Sequence, residues 1–371
     1  MDRRKLKDKV DGKITEFIAK GGLKDAESLF YSGNRLLSML DLRGELPELY
    51  FVCGNRTAGK TFFFKRWMVR RALLYGEKFV VFVRYIDDVP NRADSFWADI
   101  GPIAFKGKKM TQRPLLNGKA AELFIDSKPV GYVIAINSSN KVRENSALFA
   151  DAERGFLDEF MTETNEYVPS EIVKFNSLRI SIARGGAKGS HTRYFPIYLC
   201  SNNVTVFNPY FTYFKIGERI TNRTKFLRGK GWVLEQTFNV AAAEAIKEQF
   251  GDTMSEEELK YVTENKYLLD TNKFVKNISG NKFCYAVIVW NNRPYGVWST
   301  EYGDKLFVCK QFDPACRIRF AVVDSDHDVG NILVGNTSQI VKTLRKYYNN
   351  GYVYFKDGAC RSAFISAFGI K

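Results

Sequence analysis

The sequence predicts an α/β protein of two domains joined by a helical segment, and three observations carry that expectation. A short apolar run, Leu49 to Cys53, leads into Gly54-Asn55-Arg56-Thr57-Ala58-Gly59-Lys60-Thr61, after which apolar residues recur at helical spacing to Tyr75. A second continuously apolar run, Phe79 to Val83, completes a strand–helix–strand unit of the kind found in parallel sheets covered on both faces. Beyond an Ala-, Glu- and Lys-rich stretch between Ala241 and Tyr267, the chain from Lys273 onward turns strand-rich.

Taken in order, residues 1–26 form a basic extension too poor in apolar residues to support itself. Leu49 to Cys53 reads as a buried strand, Thr61 to Tyr75 as a helix stopped by Gly76, and Phe79 to Val83 as the next strand. Ala121 to Ile125 and Val130 to Ile136, flanking Asp126-Ser127-Lys128-Pro129, predict a hairpin. Tyr194 to Cys200 is another strand. The stretch 241–272 is read as a helical linker or lid. Strands follow at Phe283 to Trp290, Tyr295 to Ser299, Leu306 to Lys310 and Ile318 to Val323, and a closing helix at Ser338 to Tyr348 gathers Ile340, Val341, Leu344 and Tyr348 on one face.

Composition narrows the function classes. The 371 residues carry 56 Lys+Arg against 41 Asp+Glu, a net charge of +15, which points to a polyanionic partner, nucleic acid foremost. The longest apolar runs are strand-sized, well short of the ~20 residues a membrane helix needs. Met1-Asp2-Arg3-Arg4-Lys5 leads into no apolar stretch, so no signal peptide is expected and the compartment is cytosolic. Six scattered cysteines without a C-x-x-C pair, and two histidines, argue against a zinc site or a disulfide scaffold.

Residues 54–61 fit the P-loop G-x-x-x-x-G-K-[ST], and the flanking strand and helix supply the context that motif requires. In such a loop Gly54, Asn55, Arg56, Thr57, Ala58 and Gly59 present backbone amides to phosphates, Lys60 reaches the β/γ oxygens and Thr61 ligates Mg²⁺, so ATP and Mg²⁺ are the implied substrate and ion. The partner carboxylate is expected in Gly155-Phe156-Leu157-Asp158-Glu159-Phe160, with Asp158 on the metal and Glu159 polarising the attacking water, although Glu153-Arg154 interrupts the apolar run before it. Charge on the transferred phosphoryl also calls for a guanidinium. Arg56 can serve only in cis; Arg184, opening the glycine-rich Arg184-Gly185-Gly186, is a candidate finger toward a neighbouring subunit, with Arg143, Arg179 and Arg193 as alternatives. Lys106, Lys108 and Lys109, and the basic stretch Lys215 to Lys230, are candidate DNA contacts.

The order of these motifs resembles the DNA-packaging ATPases of small tailed phages of the phi-29 type, relatives of the large terminases. Ser28-Leu29-Phe30-Tyr31, the P-loop, Tyr75-Gly76-Glu77-Lys78-Phe79, Phe105-Lys106-Gly107-Lys108-Lys109, Leu157-Asp158-Glu159-Phe160, Leu199-Cys200-Ser201-Asn202 and Asn208-Pro209-Tyr210-Phe211 carry the resemblance. Tyr295-Gly296-Val297-Trp298 and Phe312-Asp313-Pro314 extend it into the last domain. It implies an additional-strand P-loop ATPase domain over 27–240, the linker or lid over 241–272, and an RNase H-like domain with vestigial nuclease over 273–371. It further implies a homo-oligomeric ring, usually a pentamer, on the portal of an empty capsid in the host cytoplasm, pumping double-stranded DNA with ATP and in some relatives using a packaging RNA. Arg184 falls where the family places its trans-acting arginine, and Ser201-Asn202 where a polar sensor couples hydrolysis to movement.

Three rivals remain at this level: a cellular DNA pump or helicase, a DNA-binding scaffold with a vestigial P-loop, and a terminase with an active nuclease. Against the last, the strand Lys282 to Trp290 bears no acid, and Asp324-Ser325-Asp326-His327-Asp328 lacks the glycine and glutamate of a calcium loop, with Val329 and Gly335 in their places.

Overall fold

The computed structural model describes residues 31–368 apart from 164–166, 185–191, 207, 218, 221–223, 256–258, 260–261, 263–266, 268–274, 276, 291 and 334–337. The extension over 1–26, the glycines after Arg184, and parts of the 241–272 and 215–230 stretches lie outside the described residues. The chain packs as two units. Among the described residues, the first takes in those from Tyr31 to Thr162, from Tyr167 to Asn203 and between 222 and 265; the second takes in Glu163, those between Val204 and 221, and those from Tyr267 to Phe368.

The first unit is built on β1 (Leu49–Gly54), β2 (Lys78–Val83), β3 (Met110–Leu115), β4 (Ala120–Ile125), β5 (Lys128–Ala135), β6 (Ala152–Asp158), β7 (Ile197–Asn202), β8 (Phe226–Gly229) and β9 (Trp232–Thr237). They form one sheet in the order β3-β4-β5-β2-β6-β7-β1-β9-β8. The strands from β5 through β9 in that order run parallel, and antiparallel pairings at both ends attach β3, β4 and β8. β7 lies between β1, which leads into the P-loop, and β6, which ends at Asp158, so the ATPase-like unit has the additional strand that the resemblance implied. β1 is buried along its whole length, as a strand with both faces covered must be.

Helix α1 (Lys60–Tyr75) covers one face with Phe64, Met68, Val69 and Ala72, and Gly76 ends it in the left-handed conformation. Phe64 stacks on Tyr198 of β7 at 5.2 Å, a contact whose truncation to Ala would cost about 3–5 kcal/mol. Helix α2 (Glu171–Ala183) covers the other face, where Phe175 meets the edge of Phe82 at 5.5 Å. The expected hairpin closes through a tighter turn than its four-residue connector suggested: Asp126 and Ser127 both have positive φ and Lys128 already belongs to β5. Arg154, the charge that interrupts the apolar run of β6, is buried under its own neutralisation. Its guanidinium pairs with Glu77 and lies 4.7 Å over the Trp67 ring, while Arg71 Nη2 donates to Glu77 at 2.6 Å. Burial alone would raise the Glu77 carboxyl, but the two arginines hold it below its ordinary value.

The second unit holds β10 (Lys282–Trp290), β11 (Arg293–Thr300), β12 (Leu306–Cys309), β13 (Arg319–Ala321), β14 (Ile332–Leu333) and β15 (Val353–Phe355), ordered β14-β13-β10-β11-β12-β15. β10, β11 and β12 are an antiparallel meander, onto which β13 and β15 add in parallel. Helices α4 (Gln339–Asn349) and α5 (Gly358–Phe368) contribute Val341, Leu344, Phe364 and Phe368 to the core. The first of these is the closing helix expected from the sequence, and α5 is a further helix beyond it.

Candidate active site

The P-loop leaves β1 at a point where only glycine fits: a Cβ on Gly54 would collide with the Thr237 carbonyl of β9. Gly59, at φ +92°, turns the chain into α1, whose first turn carries no side-chain cap and so leaves its amides open to an anion. Lys60 is almost fully buried, and its Nζ donates to the carbonyls of Asn55 at 2.6 Å and Gly54 at 3.2 Å. Burial pushes this ammonium down to about 8. The next residue, Thr61, donates its hydroxyl to Asp158 Oδ1 at 3.0 Å across 97 residues of sequence. Lys60, Thr61, Asp158 and Glu159 thus share one cleft of about 590 Å³.

Glu159 follows the end of β6 in the left-handed region, φ +52°, with its side chain exposed to the cleft. Such a conformation in a non-glycine residue costs on the order of 1–2 kcal/mol and needs external support. Arg84, at the end of the neighbouring β2, supplies it by donating to the carbonyls of Glu159 at 2.8 Å and Phe160 at 2.9 Å. The same guanidinium donates to the buried Glu171 at 3.1 Å. Ser201 joins this support: its hydroxyl donates to the Met161 carbonyl at 3.2 Å and accepts from the Met161 amide at 3.3 Å. Asn202 pairs with Gly54 in the β1–β7 register.

The opposite wall is aromatic. Tyr31 is tied to the P-loop through its amide, which donates to Ala58 O at 2.9 Å, and its phenol donates to Glu235 of β9 at 2.7 Å. Phe63 meets it edge-on at 5.7 Å, and Phe62 and Ile103 complete an apolar wall. Asn55, nearly fully buried, exchanges two 2.9 Å hydrogen bonds with the backbone of Asn239, which caps helix α3 (Val240–Phe250).

Arg56 and Thr57 stand on the exposed rim of the loop, Thr57 with φ +58°. Arg184 is not in this cleft. It ends α2, which leaves the Glu159 side of the sheet and spans about 20 Å over its 13 residues. That far end is fixed by the Arg179–Glu48 ion pair just before β1 and by Arg193 donating to Ile182 O at 3.1 Å. Lys106, Lys108 and Lys109 are exposed between the short helix Gly101–Ala104 and β3, and Lys108 pairs with Asp126 at 2.8 Å. In the second unit the acidic run serves the backbone: Asp326 accepts from Asn292 N at 2.8 Å, and Asp328 from the amides of Gly330 and Asn331 at 2.7 Å each. Arg84, Lys65, Asp99 and Glu235 entered the site without a motif to announce them. Only Lys65 had a usable signal, four residues after Thr61 on the same helix face.

Comparison with known proteins bears on this geometry. The profile of the Podovirus DNA encapsidation protein (Gp16) family matches residues 25–369. The DNA packaging protein of Bacillus phage PZA is 24% identical over 342 residues, covering 91% of this chain and 96% of that protein. That of Bacillus phage B103 is 25% identical over 322 residues, covering 85% and 94%. Among solved structures, the Phi-28 gp11 DNA packaging motor is similar with a TM-score of 0.60 at 15% identity, over 92% of this chain and 98% of its own. The bacteriophage Phi-29 viral genome packaging motor assembly is similar with a TM-score of 0.57 at 20% identity, over 89% and 95%.

Proposed function

The chain belongs to the Podovirus Gp16 DNA encapsidation family, and from that premise we propose that it is an ATP-driven translocase that packages double-stranded DNA. The observation that carries the reading is the convergence of Lys60, Thr61 and Asp158, from two strand ends separated by β7, on one cleft. On this reading Lys60 gives up its hold on the loop carbonyls and moves onto the β/γ-phosphates, while the open amides of α1 cradle the remaining oxygens. Thr61 and Asp158 are the residues that fit Mg²⁺, an ion content with few protein ligands when phosphates and water supply the rest. Bound there, it would neutralise charge developing on the phosphates. Glu159, held by Arg84, orients and deprotonates the attacking water. The wall of Tyr31, Phe62 and Phe63 suits a stacked base.

Arg184 is too far from its own cleft to act there, which supports its assignment as a finger into the cleft of a second copy, and with it a ring homo-oligomer, a pentamer by family resemblance. Arg56 is the cis alternative. Ser201 acts through the loop after Glu159, and Asn202 through the P-loop strand, as the sensor pair. Double-stranded DNA meets Lys106 and Lys109 first, because Lys108 is partly neutralised by Asp126. The partners are the portal and capsid, with a packaging RNA in some relatives, in the host cytoplasm. The meander of β10–β12 extended by parallel strands supports an RNase H-like second domain, and the use of its aspartates as backbone caps supports a vestigial rather than an active nuclease.

Mixing tests the central part. Arg184→Ala should lower turnover by about 10³-fold with nucleotide affinity intact. Rings mixed from Arg184→Ala and Glu159→Gln subunits should regain activity, because an intact Glu159 can borrow an intact arginine. Mixed rings that assemble yet stay inert would refute the trans role.

A further inference from the structure

We infer that Lys65 and Asp99 form a charge switch that governs how tightly Asp158 takes up its metal ion, without either residue touching the metal. The inference rests on reading Thr61 and Asp158 as the metal ligands. Lys65 lies one helical turn beyond Thr61 on α1, with only 4% of its side chain exposed. Its ammonium is 2.5 Å from Asp99 Oδ2, 3.9 Å from Asp158 Oδ2 and 5.1 Å from the centre of the Phe96 ring. A buried ammonium must keep a counter-charge, and this one has two carboxylates to choose between. Without a cation in the site, it offsets part of the Asp158 charge. A divalent cation on Asp158 repels it, and Asp99, half exposed and facing the same cleft, is the carboxylate that can hold it away.

The signs follow from this arrangement. Removing the ammonium leaves Asp158 fully negative and strengthens metal binding. Removing the Asp99 charge leaves Lys65 with Asp158 as its sole acidic partner among the two, so the ammonium competes with the metal and weakens it. A residue that merely anchored α1 would give neither the opposition of sign nor the cancellation.

The experiment uses Mn²⁺ as the probe, titrated into the ADP-loaded full chain and followed by electron paramagnetic resonance, with thermal melts to check folding. Lys65→Met should tighten Mn²⁺ binding about tenfold and Asp99→Asn should weaken it about tenfold, the scale of one unit charge moved a few ångströms in a partly buried site. The double variant should return to within about threefold of the wild type. Should Lys65→Met fail to fold, Asp99→Asn and Lys65→Arg carry the test, the latter keeping affinity within about threefold while the former loses it. Single variants that shift affinity in the same direction, or a folded Asp99→Asn that shifts it less than about twofold, would overturn the switch. A wild-type protein that binds no Mn²⁺ beyond what ADP itself holds would overturn the metal-ligand assignment beneath it, and the switch with it.

Discussion

The two sheets of this chain use their acidic residues in opposite ways. In the first unit, parallel strands end at one edge, and the carboxylates that emerge there, Asp158 and Glu159, are offered to an open cleft beside a helix N-terminus. In the second, a meander has no such common edge, and the aspartates after β13 serve backbone amides: Asp326 takes that of Asn292 between β10 and β11, and Asp328 those of Gly330 and Asn331 in its own turn. Parallel topology concentrates strand ends, helix N-termini and loop amides on one side, which is why phosphate chemistry gathers there. An antiparallel meander scatters them, and its polar residues are spent on turns.

Several substitutions can break or sharpen this contrast. The largest effect belongs to Lys60→Ala, which should reduce ATP hydrolysis by at least about 10³-fold, seen in a steady-state phosphate-release assay, while the far-ultraviolet circular-dichroism spectrum shows the fold retained. Arg84→Ala comes next. Without the guanidinium the strained Glu159 backbone relaxes, and kcat should fall about 10–100-fold while nucleotide Kd moves less than threefold. An equal loss in both would mean that Arg84 supports the whole unit rather than the catalytic loop.

Protonation gives a smaller signature. Phosphates raise the pKa of Lys60 from its buried value of about 8, so nucleotide binding takes up a proton once the free protein has lost it. Affinity should be flat below that pH and fall by up to about tenfold per unit above it, checked by calorimetry in buffers of different ionisation enthalpy. The same lowered value means that the buried ammonium opposes folding below pH 8 and that this cost lifts as pH rises toward the ordinary lysine range. The smallest effect lies in the second unit. Asp326→Ala should lower stability by about 1–2 kcal/mol by orphaning the Asn292 amide, yet leave hydrolysis within twofold. Metal-dependent cleavage of plasmid DNA that vanishes in this variant would erase the contrast and make the second unit a nuclease.

The phosphate-binding half of the site was legible because its chemistry is local: glycines, lysine and threonine at fixed spacing between a strand and a helix. The strands around it were legible for the same reason, being continuously apolar. β6 was only half legible, since Arg154 interrupts its pattern and the partner that makes the charge tolerable, Glu77, lies 77 residues away. Arg84, Asp99 and Asn239 carried no sequence signal at all. Arg84 and Asn239 belong to the site because β2, β6, β7, β1 and β9 lie side by side in that order, and Asp99 because the short helix Arg92–Ala98 ends against Lys65; no spacing along the chain encodes these meetings. Arg184 was legible as a residue but not as a distance: the length and direction of α2 are what remove it from its own cleft.

The most direct test of the account is the comparison of wild type with Glu159→Gln in the presence and absence of double-stranded DNA, following nucleotide affinity and ATP turnover together. The wild type should hydrolyse ATP faster with DNA, and the variant should bind nucleotide with a Kd within about threefold yet turn over at least about 10³-fold more slowly, since only the orientation and deprotonation of water are lost. A Glu159→Gln protein that still hydrolyses ATP within about tenfold of the wild type would contradict it.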